Sequence, residues 1–398
     1  MPLFFGHALP AATLRSAPAA LRGPAAPPSI PFRLVTKRVG AYDVTLRVPA
    51  DGVFAGEPID IEYRVSDPSR TDPVLGPLGV VKVAAKAVVT MPEMAGMPEQ
   101  RPKIHTEGVP GDYGIECFFP HGGGYRIDLT LSVPGETAPL RTFFLVDVLD
   151  AEARKGRKPA PPPYRVEVET VGEARAGEPV DLVFRIRETK TKAVVSQFDV
   201  AHTKLFHLLM TSTDLAWFAH EHPEASDGGV FRHRRVFPHG GTFRIFADVA
   251  PRGAGSQILS TTVRVSGPAP KPVAPTPGDV RNTVDGISAR VGGTANPPIG
   301  KSVPITFVLT RAEDGRPVTD LEQYLGAYGH LMIIHEDGAT VVHSHPAEDE
   351  AGLALSRSGT VVFNARFPKP GIYKAWGQFQ RAGAVVTIPF VFRVGAAK

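Results

Sequence analysis

A single cysteine, Cys117, stands in a chain of 398 residues, which excludes an intramolecular disulfide framework and a thiolate metal cluster. Any metal site must draw on imidazole, carboxylate or thioether ligands. Cys117 shares a face with Ile115 and Phe119 in an alternating run, so it reads as a buried core position, not a nucleophile. Long apolar runs are also missing: none reaches the ~18 residues of a membrane-spanning helix. No transmembrane segment is expected. Charge of one sign is scarce, since 44 Lys and Arg face 40 Asp and Glu, and no basic patch interleaved with aromatics is present. Nucleic acid is therefore not an expected partner. Catalytic signatures are lacking too. His121-Gly122-Gly123-Gly124 mimics an oxyanion loop, but no Gly-x-Ser-x-Gly elbow accompanies it. Walker, Rossmann and His-Glu-x-x-His patterns are absent. A non-enzymatic protein is expected.

What the chain holds in quantity is turn-formers, 40 Gly and 40 Pro spread without a collagen period, and this favours short strands joined by many turns. Internal repeats organise them. Phe119-Pro120-His121-Gly122-Gly123-Gly124-Tyr125 recurs as Phe237-Pro238-His239-Gly240-Gly241-Thr242-Phe243 and, more loosely, as Phe367-Pro368-Lys369-Pro370-Gly371-Ile372-Tyr373. An upstream marker, Ala55-Gly56-Glu57-Pro58, recurs as Ala176-Gly177-Glu178-Pro179, with Ile299-Gly300-Lys301-Ser302 as its divergent third copy. The markers lie 63, 60 and 67 residues apart in the three units, which reads as one module repeated. The expected fold is all-β, three tandem immunoglobulin-like (Greek-key) β-sandwich domains. Residues 1–30 form a disordered or export-like N-terminal segment and 31–150 a Met-rich sandwich. Pro-rich linkers at 151–163 and 268–278 flank a second sandwich at 164–267, and a third spans 279–398. The linkers predict beads on semi-rigid spacers. Tyr125 and Tyr373 stand where a tyrosine corner would place a phenol against the preceding backbone, and Phe243 cannot do this. The best short helix candidate is Thr319 to Leu325, after Pro317.

Seven of the thirteen histidines fall in two windows, 207–223 and 330–346, and six of them recur at matching places. The second unit has His207-Leu208-Leu209-Met210, then His220-Glu221-His222-Pro223; the third has His330-Leu331-Met332-Ile333, then His343-Ser344-His345-Pro346. In both, the marker glycine precedes the first His by 30 residues and the next His follows it by 13. Each window predicts a β-hairpin. A four-residue loop would set His207 opposite His220 and His330 opposite His343; a two-residue loop at Asp337-Gly338 would instead set His330 opposite His345. Every register places three imidazoles on one face, because strand side chains alternate with period 2. That is an open three-His set suited to Zn(II) or Cu(II). The competing reading is structural: the same face carries Leu205, Leu209 and Phe218, and the rings would then be core-edge histidines bonded to carbonyls. In place of histidines the first unit has Met91, Met94 and Met97, soft thioethers that select Cu(I) or else form an apolar contact loop. Copper is the metal common to both ligand sets, with zinc the alternative for the imidazoles.

Met91, Pro92, Met94 and Met97 followed by Phe119, Pro120, Gly124 and Tyr125 resemble the YtkA-like domain family, small β-sandwich domains of exported bacterial proteins. The other two units resemble His-x-His-Pro relatives of that family, through His207, His220, His222, Pro223 and His330, His343, His345, Pro346. The resemblance implies export to the periplasm or cell surface and an association with copper. It points to an accessory or carrier protein whose partners are a metal ion and another envelope protein. The alternative is a metal-free adhesion scaffold of stacked sandwiches.

Overall fold

A computed structural model describes residues 32–73, 76–94, 97–155, 162–278, 280–299, 302–346 and 350–395. The expected N-terminal segment, and 156–161 of the first linker, lie outside the described residues. Alternating runs become strands as their patterning dictates: in Gly123–Ser132, Tyr125, Ile127, Leu129 and Leu131 point into a core while Arg126, Asp128 and Thr130 face outward. Six sheets result, which pair into three sandwiches.

The first sandwich combines a six-stranded sheet with a four-stranded one ordered Val53–Phe54, Leu140–Leu149, Gly123–Ser132, Ala84–Thr90. In the second, Tyr164–Val171, Pro179–Glu188, Val230–Val236 and Glu224–Ser226 oppose a five-stranded sheet. That sheet runs Phe198–Asp199, Gly241–Pro251, Phe206–Ser212, Phe218–Glu221, with Gln257–Val265 also paired to Gly241–Pro251. The third repeats this plan. Its five-stranded sheet runs Leu321–Glu322, Gly371–Arg381, His330–His335, Val341–Ser344, with Ala384–Val394 beside Gly371–Arg381. Each Phe-Pro marker is the turn into the long strand, and its glycine takes a φ closed to other residues, 133° at Gly123, 122° at Gly241 and 141° at Gly371. Both tyrosine corners form: Tyr125 Oη donates to His121 O at 3.0 Å and Tyr373 Oη to Lys369 O at 2.9 Å.

Two expectations need correction. The Thr319–Leu325 segment is not helical; it supplies the short edge strand Leu321–Glu322, paired with Gly371–Arg381. Seven residues nucleate a helix poorly, and the sheet edge offers ready hydrogen bonds. The described α-helix is instead Glu350–Arg357. Nor are the units separate beads. The outer faces of the second and third five-stranded sheets meet, and Leu209, Leu215 and Phe246 form a shared buried cluster with Met332, Ile334 and Trp376. The Phe218 ring lies on Trp376, centroids 4.5 Å apart and planes 14° apart. These sheets are apolar on both faces, and leaving the outer face wet would forfeit roughly 25 cal/mol per Å² of apolar surface. The first unit closes the group. His202 N donates to Gly108 O at 3.1 Å, Lys103 Nζ to Asn364 Oδ1 at 2.6 Å, and Val109 packs with Ala201 and Ala250.

Candidate metal centre

The histidines sit on the outer faces that meet between the second and third units. In the second, Phe206, Leu208 and Met210 enter the sandwich core while His207 and Leu209 point the other way. The register pairs Leu208 with Glu221 and Leu209 with His220, two residues away from the expected pairing, so His207 comes across from His222. Ser212 N donates to Trp217 O at 3.1 Å, so the loop sits one residue later than expected, and in it Leu215 takes a left-handed φ of 60° and turns its side chain into the shared cluster. Asp214 Oδ1 holds that loop by accepting from Ser212 Oγ and Ala216 N. In the third unit Leu331 pairs with Ser344 and Met332 with His343, the register that brings His330 across from His345. A two-residue shift preserves the face. In each unit the three candidate ligand atoms lie within 4.8 Å of one another: His207, His220, His222 and His330, His343, His345.

Hydrogen bonds to acceptors fix which nitrogen is free in four of the six rings. His207 Nε2 donates to Ala201 O at 2.9 Å and His330 Nε2 to Tyr324 O at 2.8 Å, so in the neutral rings Nδ1 carries a lone pair. His220 Nδ1 donates to Gln378 Oε1 and His343 Nδ1 to Asp248 Oδ2, both at 2.6 Å, which leaves Nε2 free. His207 Nδ1 then faces His220 Nε2 at 3.3 Å, lone pair against lone pair. A cation between them resolves that clash. The Nε2 atoms of His222 and His343 are buried without a hydrogen-bond partner among the described residues, a condition native interiors tolerate poorly and one that a metal ion would satisfy.

The electrostatics keep the rings ligand-competent. Burial, reinforced by neighbouring imidazoles, pushes the His222 pKa down to about 3, places His220, His330 and His345 well below the usual histidine range, and lowers His207. Neutral imidazole is the ligating form. Asp248 is fully buried, which by itself would raise its pKa; the His343 hydrogen bond and the surrounding imidazoles prevail and hold it at about 2. A carboxylate behind a histidine is the usual outer-shell support of a metal ligand.

Four contributors escaped the sequence reading: His202, Asp248, Tyr324 and Gln378. His202 belongs to the second unit, yet its ring stacks on His345 of the third, centroids 3.4 Å apart, and its Nε2 is also buried without a partner among the described residues. Tyr324 of the third unit lies 6.4 Å from His220 and 6.3 Å from His222, ring to ring. A signal existed for two of them. Asp248 and Gln378 each follow the repeat phenylalanine, Phe237 or Phe367, by 11 residues, at the same place in their strands.

The methionines are placed differently. Met91 and Met97 pack against the first core while Met94 is 43% exposed, and backbone turns link Met94 N to Met91 O and Met97 N to Met94 O. Cys117 is buried in the first core, and burial lifts its thiol pKa to about 12.

A family model described as a domain of unknown function, DUF8832, matches residues 162–267 and 282–396, together more than half of the chain. A YtkA-like model matches residues 79–130. The His-bearing units thus match a description separate from that of the Met-bearing one. No curated protein matches the chain. Among solved structures, one from Corynebacterium diphtheriae described as a membrane-anchored protein is 12% identical, covers 90% of this chain and 92% of its own, and has a TM-score of 0.18. A Salmonella alpha-2-macroglobulin is 10% identical over 92% of this chain and 24% of its own, TM-score 0.20. Chicken CNTN1 domains FN1–FN3 are 8% identical over 93% and 100%, TM-score 0.16. Likenesses this loose carry no argument about the chain. Among the described residues no helix is long and apolar enough to cross a membrane.

Proposed function

We propose a metal-binding role for this chain, which belongs to the DUF8832 family and carries a YtkA-like segment in its first unit. In this reading it is a non-enzymatic accessory or carrier protein of the bacterial cell envelope, and copper is its cargo by ligand chemistry, with zinc the alternative. The observation that carries the reading is the pair of three-His groups whose candidate ligand nitrogens converge while, in four of the six rings, the other nitrogen donates to a carbonyl, an amide or a carboxylate. A purely structural role leaves the facing lone pairs of His207 and His220 and the orphaned Nε2 atoms without explanation. Imidazole sets of this kind take Cu(II) and Zn(II), and the methionines favour Cu(I). Envelope localisation rests on the YtkA-like resemblance.

The test is elemental analysis of protein purified without a chelating tag, followed by Cu(II) and Zn(II) titration. Two equivalents bound, and none after His207, His220, His222, His330, His343 and His345 all become Ala, is the expected result. Failure of the unaltered protein to bind either metal at micromolar concentration overturns the reading and leaves the metal-free scaffold.

A further inference from the structure

Each triad takes the acceptor for its middle histidine from the other unit. His220 of the second unit donates to Gln378 of the third, and His343 of the third donates to Asp248 of the second. The two acceptors occupy one repeat position: His207 pairs across the ladder with Asp248, and His330 with Gln378. Both are held from behind, Asp248 Oδ1 by Ser256 Oγ at 3.1 Å and Gln378 Nε2 by Thr387 Oγ1 at 3.0 Å. The exchange is reciprocal in geometry and unequal in charge. A carboxylate makes its imidazole a stronger donor and offsets part of a dication's charge, whereas an amide only orients the ring.

The two groups are also close to each other. The His343 ring lies 5.9 Å from His207 and 6.0 Å from His220, and the His330 ring lies 6.0 Å from His220. In a dry interior a second dication at such a separation is repelled by the first, and Asp248 accepts a hydrogen bond from a ligand ring of one of the two places only.

Resting on the metal-binding reading above, we propose that the two three-His groups form one chamber with two unequal places that fill in order. The place made by His330, His343 and His345, backed by Asp248, fills first. The place made by His207, His220 and His222, backed by Gln378, fills second and more weakly. Asp248 and Gln378 are positioning residues: they touch ligands and not the metal, and each acts across the interface, so neither place is complete unless the units are docked. His202 adds a further asymmetry, because its ring covers the third unit's place while the corresponding residue of the other loop is Leu325.

The experiment is a Zn(II) titration of the full chain against a chromophoric chelator, with Co(II) absorption as a second readout of ligand geometry. The unaltered chain is expected to show two steps at least about tenfold apart, and Asp248→Asn to weaken the tighter one by about 10–100-fold, the usual cost of losing an outer-shell partner. Gln378→Glu is expected to tighten the weaker step. His343→Ala removes the tighter step and His220→Ala the weaker. Two equal steps in the unaltered chain, or loss of the tighter step in His220→Ala, overturn the order while leaving metal binding intact. An Asp248→Asn chain that folds and keeps both steps overturns the role of Asp248. Should that variant fail to fold, Gln378→Glu decides alone, and an unmoved weaker step sinks the proposal. No Zn(II) bound by the unaltered chain is instead the failure of the metal-binding reading.

Discussion

The strand Ala84–Thr90 of the first unit and the strand Phe206–Ser212 of the second hold the same place in their sandwiches, yet one has a wet face and the other has none. Ladder register aligns them: Lys86 across from Thr130 stands where His207 faces Asp248, and Val88 across from Asp128 stands where Leu209 faces Phe246. Ala84–Thr90 alternates between core and solvent, whereas all seven residues of Phe206–Ser212, and all six of His330–His335, are buried. The difference lies in the outer residues alone, since all three strands feed ordinary sandwich cores. Two sheets with apolar outer faces stick together, and polar groups caught between them must find partners or a ligand. The first unit, with Lys86 and Asp128 outward, has no such chamber to build.

The largest expected break in this comparison comes from one substitution made at both places. Leu209→Asp puts an unpaired carboxylate into the shared cluster and should cost about 3–5 kcal/mol. Val88→Asp, on the half-buried face of the first unit, should cost about 1 kcal/mol or less. Urea unfolding of the metal-free chain measures both, and equal losses would show that the outer faces do not differ in burial.

Acid and base should next separate the two regions. In the chamber, burial holds His202 and His222 at about 3, below the unfolded value of about 6.5. Their neutral state then supports the fold fully above about pH 6.5, and that support is lost as pH falls from there toward 3. Metal binding should likewise persist to lower pH than free imidazole allows. His105 of the first unit runs the opposite way. Burial would lower its pKa, but the nearby carboxylates of Asp60, 3.7 Å away, Glu107 and Glu116 raise it to about 9. Its contribution is complete below about pH 6.5 and disappears as pH climbs through 9. Histidine resonances followed by NMR check this: His105 should titrate above pH 7, and His202 and His222 should stay neutral at pH 5.

Two smaller effects sharpen the contrast. In a Cys117→Ser background, changing Met91, Met94 and Met97 to Leu should abolish a Cu(I) equivalent assigned to the first unit while costing under about 1.5 kcal/mol of stability; Cu(I) retained at full affinity would make the loop a contact surface. Tyr125→Phe and Tyr373→Phe should each cost about 1 kcal/mol in chemical denaturation, a loss the second unit tolerates by nature with Phe243.

Much of this was legible in the residues. The repeat markers, turn glycines and period-2 runs specify sandwiches, and the shared spacing of the His windows places three rings on one face in registers two residues apart. What escaped was the docking. The linkers suggested separation, while the runs Leu205 to Met210 and His330 to Ile334 already had the near-continuous apolar character of strands covered on both sides. Leu209 and Phe218, weighed as signs of core-edge histidines, are in fact the contact surface for the third unit. Hairpin register escaped because it depends on Leu215 being drawn into that same surface, a tertiary effect with no local signature. Asp248 and Gln378 act on histidines of the opposite unit, and no pattern within one repeat can announce a partner in the next.

The stacking of Phe218 on Trp376 has an optical consequence. The chain has two tryptophans: Trp217 packs near Phe237 and Phe243 in the second sandwich, while Trp376 is buried between the units at 3% exposure. An indole emits at longer wavelength once water reaches it. A Trp217→Phe chain therefore carries a single fluorophore whose colour follows separation of the second and third units, and paramagnetic Cu(II) entering beside it should quench that emission before any unfolding begins.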